Sequence, residues 1–354
     1  MSAVTAGPST PPTAVLCGLA GWVPPRVVTN EQLARRLGTD EAWIRTRTGI
    51  RRRHVVDAGQ ATSDLAVEAG RRALASAAAD SVDAVVVATA TPDRACPATA
   101  PATAARLGLT GAAAFDVSAV CTGFVYGLAS AAGLIAAGVA ERVLLIGADT
   151  YSTVVDPLDR ANAVLFGDGA GAVVLRAGHP GEQGAVGHFD LGSDGAHEDL
   201  ITIAAGGSRQ RSGPGEPGHR ERHFAMRGKE VYRHAVRRMA ESARTTLSRA
   251  GWKTDDVDHF VPHQANLRIL HSVADDLGLP RERCLTHVED VGNTGAASIP
   301  LALADAAARG AVRPGDRLLL TAFGGGLTWG SCLLTWPGLP GPDHPHHEGE
   351  RKTP

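Results

Sequence analysis

The sequence predicts an α/β protein built from two similar halves, and three observations carry that prediction. Short runs rich in β-branched residues alternate with long helical stretches rich in Ala, Leu and Arg. The alternation occurs twice along the chain in the same order. Of the 354 residues, 44% are hydrophobic and 20% are charged, which leaves enough apolar side chains for a large core. The strands read as continuous apolar runs, as expected when helices cover both faces of a sheet.

The individual elements follow from these runs in chain order. Strands are predicted over 84–88, 114–117, 142–146, 171–176, 259–262, 317–321 and 331–335. Helices are predicted over 63–77, 121–137, 228–250, 267–277 and 298–308. The segments 1–13 and 337–354 are rich in Pro and polar residues, and we predict that both are disordered.

An internal repeat divides the rest of the chain. Segments 62–91 and 230–266 both read as helix, turn, strand and loop. Segments 115–147 and 287–322 both read as a short strand, a Gly-containing turn, an Ala-rich helix and a second strand. The simplest arrangement is two halves, 14–180 and 181–336, packed about a pseudo-dyad. Such packing brings equivalent strand ends together, and ligands of α/β folds usually bind at the carboxyl ends of strands.

Composition excludes several classes of function. The 35 Lys and Arg residues balance 37 Asp and Glu residues, which argues against nucleic acid as the main partner. The five cysteines are scattered without a CxxC pair, so neither a disulfide framework nor a structural metal is expected. The Gly-rich runs GDGAGA and GGGLTWG lead into strands rather than helices, which argues against a dinucleotide site. The apolar stretch 122–138 reads as a buried helix, and we expect a reduced, cytoplasmic protein without membrane contact.

Three residues fall at strand ends that the repeat brings together. Cys121 follows the strand 114–117 and opens a helix, where free backbone N–H groups and the helix dipole favour the thiolate that a nucleophile needs. His263 follows the strand 259–262, and Asn293 lies in the turn equivalent to that of Cys121. Taken singly, they read as a buried structural cysteine, a surface or core histidine and a turn-capping asparagine. Taken together, they predict one catalytic site.

Six motifs, in order, resemble β-ketoacyl-acyl carrier protein synthase III over nearly the whole of 15–336. They are DEAWIRTRTGIRRRH, DVSAVCTGFVYGL, FGDGAGAVVL, VPHQANLRI, VGNTGAAS and AFGGGLTWGS. The resemblance implies a thiolase-like fold, with its two α/β halves in a layered αβαβα arrangement. It also implies an acyltransferase that acts as a homodimer, takes acyl-CoA and malonyl-acyl carrier protein as substrates, and needs no metal or redox cofactor.

The resemblance implies a role for each catalytic residue. Cys121 is expected to take the acyl group from acyl-CoA as a thioester. His263 and Asn293 are expected to bind the malonyl thioester carbonyl and stabilise the enolate formed as CO₂ leaves. The backbone N–H groups of Cys121 and Gly325 are expected to form the oxyanion hole. Phe323 matches an aromatic residue that supports the His/Asn pair.

The remaining implied contacts lie along the substrate channel. Coenzyme A is expected to contact Trp43, Arg47, Arg160, Asn266 and Tyr232, with Trp43 stacking on adenine. Arg268 matches a basic residue that docks the acidic carrier protein. Cys96 falls where acetyl-selective members place a bulky aromatic residue across the dimer interface, so we expect room for longer or branched starters.

This chain departs from the family pattern at one position, and its residues leave several functions open. Family members often have Ser where this chain has Gly295, and we expect a modest effect on the site. The same residues suit fatty acid synthesis or the priming of a type II polyketide chain. A diverted member would move the acyl group from Cys121 to another acceptor without condensation, but such transfer needs no enolate-stabilising pair. A non-catalytic carrier-binding protein would have lost one of the three catalytic residues.

Overall fold

Thirteen strands and ten α-helices build the part of the chain that the computed structural model describes, residues 11–339. The strands are β1 (Thr13–Trp22), β2 (Val27–Thr29), β3 (Arg52–His54), β4 (Ala84–Ala88), β5 (Ala113–Val117), β6 (Arg142–Thr150), β7 (Asp168–Gly178), β8 (Val186–Ser193), β9 (Ile201–Thr202), β10 (Ala225–Met226), β11 (His259–Pro262), β12 (Arg317–Gly324) and β13 (Thr328–Thr335). The helices are α1 (Asn30–Leu37), α2 (Glu41–Thr48), α3 (Thr62–Ser76), α4 (Thr99–Arg106), α5 (Gly123–Ala136), α6 (Ser208–Arg211), α7 (Gly228–Ala250), α8 (Leu267–Leu277), α9 (Val288–Val291) and α10 (Ser298–Ala308).

Two large sheets repeat the same topology. The first has strand order β1-β7-β6-β4-β5, and the second has order β8-β13-β12-β11. In both, the second and third strands of this order (β7 and β6, or β13 and β12) pair antiparallel. The fourth strand, β4 or β11, runs parallel to the third. A parallel bridge between Phe260 and Cys284 even continues the second sheet where β5 continues the first. The internal repeat of the sequence is therefore a repeat of structure.

The layers stack as αβαβα, as predicted. The Ala-rich helices α5 and α10 lie between the two sheets, in a core cluster that draws buried residues from both sheets. On the outer faces, α3 and α4 cover the first sheet, while α7 covers the second and packs against α8. Small side chains on α5 and α10 let the two sheets and the helices between them approach closely. Because α5 and α10 begin at the same level, the turns that precede them meet.

Most predicted elements are confirmed, and the ends of several shift. The predicted bounds of β4, β11, α7, α8 and α10 are those of the structure. The predicted helix 121–137 begins later, because Val120–Thr122 forms a 3-10 turn and α5 starts at Gly123. The predicted division of the chain near residue 180 falls in the connection between β7 and β8.

Two predictions about local structure are wrong. The strand expected before the Gly-containing turn of segment 287–322 is the short helix α9, whose carbonyl at Val288 accepts from the Gly292 N–H. Most of the two segments predicted to be disordered lies outside the described residues, but Thr13 begins β1 and pairs with Gly178. The sequence analysis also missed β1 itself, because Ala and Gly interrupt its apolar pattern (TAVLCGLAGW).

Within residues 11–339, none of the helices is both long and apolar enough to cross a membrane.

Candidate active site

A cavity of about 620 Å³ reaches from the surface to the turn that begins α5. It is lined by ten of the residues singled out from the sequence: Trp43, Arg47, Cys121, Arg160, Tyr232, His263, Asn266, Arg268, Asn293 and Phe323. Two of the expected residues, Cys96 and Gly325, are not among its lining residues. The structure thus brings the expected channel and the expected catalytic residues into one continuous space.

The nucleophile candidate lies in a tight turn between β5 and α5. Val120 has a φ of +50°, an unfavourable backbone conformation for a β-branched residue, and Cys121 follows it directly. The opposite wall approaches closely, since a Cβ on Gly324 would lie 2.8 Å from the Cys121 backbone nitrogen. Only glycine permits that approach, which holds the Cys121 side chain at the base of the cavity.

Burial opposes the thiolate that the sequence argument expected at this position. The Cys121 side chain is buried, and that burial raises the pKa of its thiol to about 12, with the nearby Asp149 carboxylate acting in the same direction. The Tyr151 hydroxyl and the Cys121 backbone N–H act in the opposite direction. Burial of the sulfur therefore acts against the thiolate that the helix N-terminus was expected to favour.

His263 follows β11, and its imidazole is neutral. The ring is 3% exposed, and burial lowers its pKa to about 3. Nδ1 lies 2.7 Å from the Ser298 hydroxyl oxygen, at the start of α10. That oxygen also accepts from the Gln264 backbone N–H at 3.3 Å, so its own proton is free to be donated to Nδ1. This assignment leaves the ring proton on Nε2, the nitrogen available to a ligand.

Asn293 is oriented by its own turn. Its side-chain oxygen accepts from the Gly295 backbone N–H at 3.0 Å, which leaves the two amide N–H donors for the cavity that Asn293 lines. Its backbone is fixed on both sides, donating to the Leu165 carbonyl at 2.8 Å and accepting from the Gly167 N–H at 3.0 Å. In the repeat, Ala296 is the residue at the position of Cys121, so Asn293 lies three residues before the equivalent place.

The histidine and asparagine present neutral donors to the same space. A carbonyl oxygen that becomes an enolate develops negative charge, and fixed neutral donors stabilise that charge as it develops. Phe323 is buried on β12 beside them and excludes water from this part of the cavity.

The mouth of the cavity is cationic and aromatic. The guanidinium of Arg160 lies 4.3 Å from the centroid of the Trp43 ring, and that of Arg47 lies 4.8 Å from it. Both arginines are exposed, while Trp43 is half-buried. Trp43 therefore offers an aromatic face beside two cationic groups.

Farther along the cavity, α7 and α8 supply polar groups. Asn266 caps the N-terminus of α8 by accepting from the Ile269 N–H at 3.1 Å. The Tyr232 hydroxyl lies 2.7 Å from the Ser272 hydroxyl, and Arg268 lies over the Tyr232 ring at 5.5 Å from its centroid. Arg268 is exposed at the rim of the cavity. Cys96 is exposed on the loop before α4, away from this cavity.

Sequence reasoning missed a polar and aromatic wall beside Cys121. Asp149 is fully buried at the end of β6, and burial raises its pKa to about 7. Its carboxylate accepts from the backbone N–H groups of Ala90 at 2.7 Å and Ala296 at 2.8 Å. Next to it, Tyr151 stacks on Phe166, with ring centroids 4.5 Å apart. The acidic residue two positions before an aromatic one, at a strand end, was the available signal in GADTYS.

Gly295 matters more than the sequence comparison suggested. It has a φ of +57°, and a Cβ there would lie 2.2 Å from the Asp149 carboxylate and 2.5 Å from the Tyr151 ring. A serine at this position therefore does not fit beside the Asp149 and Tyr151 of this chain. The structure therefore predicts a larger effect than the sequence comparison did, because Gly295 is what allows the wall and the Asn293 turn to touch.

Comparison with known proteins gives matches over nearly the whole chain. A family profile described as 3-oxoacyl-[acyl-carrier-protein] synthase III matches residues 115–195, and one described as its C-terminal part matches residues 247–336. The chain is 58% identical over 327 residues to β-ketoacyl-[acyl-carrier-protein] synthase III 3 of Streptomyces coelicolor, covering 92% of this chain and 98% of that protein. It is 54% identical over 328 residues to β-ketoacyl-[acyl-carrier-protein] synthase III of Pseudomonas aeruginosa, with coverage of 92% and 98%.

Solved structures show the same similarity. The crystal structure of 3-oxoacyl-(acyl carrier protein) synthase III from Pseudomonas aeruginosa matches with a TM-score of 0.87 and 52% identity, covering 92% of this chain and 99% of that chain. The priming β-ketosynthase of a polyketide biosynthetic pathway matches with a TM-score of 0.86 and 35% identity, with coverage of 95% and 100%.

Proposed function

Because this chain belongs to the 3-oxoacyl-[acyl-carrier-protein] synthase III family, we propose that it condenses an acyl-CoA starter with malonyl-acyl carrier protein through an acyl-Cys121 intermediate. The chain is an enzyme of the acyltransferase class. The observation that supports the proposal most directly is the single cavity that joins a cationic, aromatic mouth to Cys121, His263 and Asn293. Its product would start a fatty acid or a type II polyketide chain.

The first half-reaction loads the enzyme. The Cys121 sulfur attacks the thioester carbonyl carbon of acyl-CoA, so that a C–S bond to Cys121 forms. The C–S bond to coenzyme A breaks, and coenzyme A leaves with the proton that Cys121 released. The backbone N–H groups of Cys121 and Gly325 are the proposed donors to the tetrahedral oxyanion, and the close approach of the Gly324 and Cys121 backbones supports that pairing.

The second half-reaction makes the carbon–carbon bond. The malonyl thioester oxygen accepts from His263 Nε2–H and the Asn293 amide, and the bond to the malonyl carboxylate breaks to release CO₂. The electron pair left behind forms an enolate, whose carbon attacks the acyl-Cys121 carbonyl. The Cys121 sulfur leaves as a thiolate, and the β-ketoacyl group stays on the carrier protein. Decarboxylation supplies the carbanion, so the site needs neutral donors and no strong base.

The cavity mouth suits the two carriers of the substrates. The adenine of coenzyme A would stack between Trp43 and Arg160, while Arg47 would meet a coenzyme A phosphate. Tyr232 and Asn266 would line the pantetheine path. Arg268 is exposed at the rim, where an acidic carrier protein would dock.

We further propose a homodimer in which Cys96 of one protomer closes the acyl pocket of the other. Cys96 is exposed on its loop, which leaves it accessible to a second protomer. A cysteine fills less space than an aromatic ring, which favours longer or branched starters over acetyl. Efficient use of acetyl-CoA alone would contradict this part of the proposal.

Intact-mass spectrometry tests the proposed function. The purified protein is exposed to a panel of acyl-CoAs, and malonyl-carrier protein is then added to each loaded sample. Cys121→Ser should abolish the adduct, while Cys17→Ser, which removes a thiol bonded to the Val174 carbonyl in the first sheet, should load normally. An adduct that disappears as β-ketoacyl-carrier protein forms supports condensation and names the starter. An adduct that never condenses points to acyl transfer to another acceptor, and no adduct at all refutes the assignment of Cys121.

A further inference from the structure

The Tyr151 hydroxyl is a buried polar group near the nucleophile, and neither half-reaction proposed above uses it. The Tyr151 side chain is 1% exposed, and its hydroxyl has no hydrogen-bond partner within the described residues. Buried hydroxyls are nearly always paired, so an unpaired one at a reaction centre points to an acceptor that forms during the reaction.

The position of the Tyr151 ring is fixed on three sides. It stacks on Phe166, with centroids 4.5 Å apart, and meets the edge of Phe224 at 5.6 Å. Its third contact is Gly295, where any Cβ would come within 2.5 Å of the ring. The residues Gly295–Ala297 in turn pack against Val120–Thr122, the turn that carries Cys121. These contacts hold the ring beside the turn that carries Cys121.

We propose that the Tyr151 hydroxyl donates a hydrogen bond to the Cys121 sulfur when that sulfur is a thiolate. A neutral thiol is a weak acceptor and leaves the hydroxyl unpaired, whereas a thiolate accepts strongly. In the substrate-free site the hydroxyl lies outside hydrogen-bond geometry to the thiol but close enough to act on it, in the direction that lowers the pKa of Cys121. No bond to Tyr151 forms or breaks. The hydrogen bond favours release of the Cys121 proton and strengthens again when the thiolate leaves in the condensation step.

Two of the influences on Cys121 oppose the thiolate. Burial and the Asp149 carboxylate both raise the pKa of Cys121, and Asp149 raises that of Tyr151 as well. His263 is neutral and holds its proton for the substrate. Among the titratable side chains of residues 11–339 that act on the sulfur, Tyr151 is thus the one that favours the thiolate.

The inference rests on the proposed role of Cys121, and a measurement independent of acyl-CoA tests it. The rate of Cys121 alkylation by iodoacetamide is followed from pH 6 to 10 by mass spectrometry of the peptide that contains Cys121. Tyr151→Phe removes the hydroxyl and keeps the ring. It should slow alkylation about tenfold at every pH in this range, because a rise of about one unit in the pKa of Cys121 lowers the thiolate fraction about tenfold.

Tyr126→Phe is the matched control, because Tyr126 lies on α5 and donates to the Gly192 carbonyl instead. That variant should keep the wild-type profile. A Tyr151→Phe profile within twofold of wild type at every pH would overturn the inference. Acyl-CoA loading, measured on the same samples, separates the two proposals. Normal loading with an unchanged alkylation profile removes only the role of Tyr151, whereas absent loading in the wild type removes the proposed function.

Discussion

Replacing His263 with glutamine changes how stability depends on pH. In the folded protein, burial holds the pKa of His263 at about 3, whereas an unfolded chain has a histidine pKa of about 6.5. Between these values the unfolded chain binds a proton that the folded protein does not. The contribution of His263 to stability is therefore complete above pH 6.5, and it is lost as the pH falls toward 3.

The size of the effect follows from those two values. One histidine with pKa values of about 6.5 unfolded and about 3 folded loses roughly 2 kcal/mol of stability between pH 7 and pH 5. Asp149 acts in the opposite direction, because its folded pKa of about 7 lies above that of an ordinary carboxyl, so acidification favours the folded state through it. The wild-type profile alone thus mixes opposing contributions, and only the difference between variant and wild type isolates His263.

Urea unfolding at fixed protein concentration measures that difference. The free energy of unfolding of His263→Gln, relative to wild type, should rise by about 2 kcal/mol as the pH falls from 7 to 5. His179→Gln removes an exposed imidazole and should leave the wild-type profile unchanged. Parallel profiles for His263→Gln and wild type would refute the reasoning, because they would mean that His263 takes up a proton in the folded state.

Three further predictions concern the geometry of the site. Gly295→Ser should lower the free energy of unfolding in urea by about 2 to 4 kcal/mol, because residue 295 has a left-handed backbone and its side chain would meet Asp149 and Tyr151. The control Gly133→Ser, on an open helix surface, should cost less than about 1 kcal/mol. Ser298→Ala frees the imidazole Nδ1 and should slow β-ketoacyl formation about tenfold while burst acylation from acyl-CoA stays normal; equal loss of both would contradict the proposed tautomer. Trp43→Ala should raise the KM for acyl-CoA about tenfold with kcat nearly unchanged, and an unchanged KM would exclude stacking on this ring.

The fold was largely readable from the sequence because its signals are local. Strands such as β4 (AVVVA) are buried on both faces and read as continuous apolar runs. The topology was readable because the sequence repeats, and each half must bury its helices in the same way. By contrast, β1 was missed, because Gly18 and Gly21 lie where α3 and α10 leave no space for a side chain. Glycine is required at these two positions by the helices that pack there, and it interrupts the apolar pattern of the strand. The sequence does not show which helices those are.

The site was only partly readable. Cys121, His263 and Asn293 follow recognisable strands, so their convergence could be expected from the repeat. Ser298 could not be identified, since it reads as an ordinary first residue of α10, and only the 2.7 Å contact with His263 shows its role. Tyr151 likewise reads as one more aromatic core residue. Its importance depends on which atoms surround its hydroxyl, and that is decided by chain segments far apart in sequence.

The shifted pKa values of Cys121 and His263 also bear on whether His263 can take the proton of the nucleophile. Cys121 at about 12 and His263 at about 3 lie nine units apart, so moving the thiol proton to the imidazole costs on the order of 12 kcal/mol. Attraction between two unit charges about 4 Å apart, at an effective dielectric constant of about 20, would return only about 4 kcal/mol. A resting thiolate–imidazolium pair is therefore unfavourable in this site. The proposed mechanism therefore keeps His263 as a neutral donor in both half-reactions and lets the Cys121 proton leave with coenzyme A.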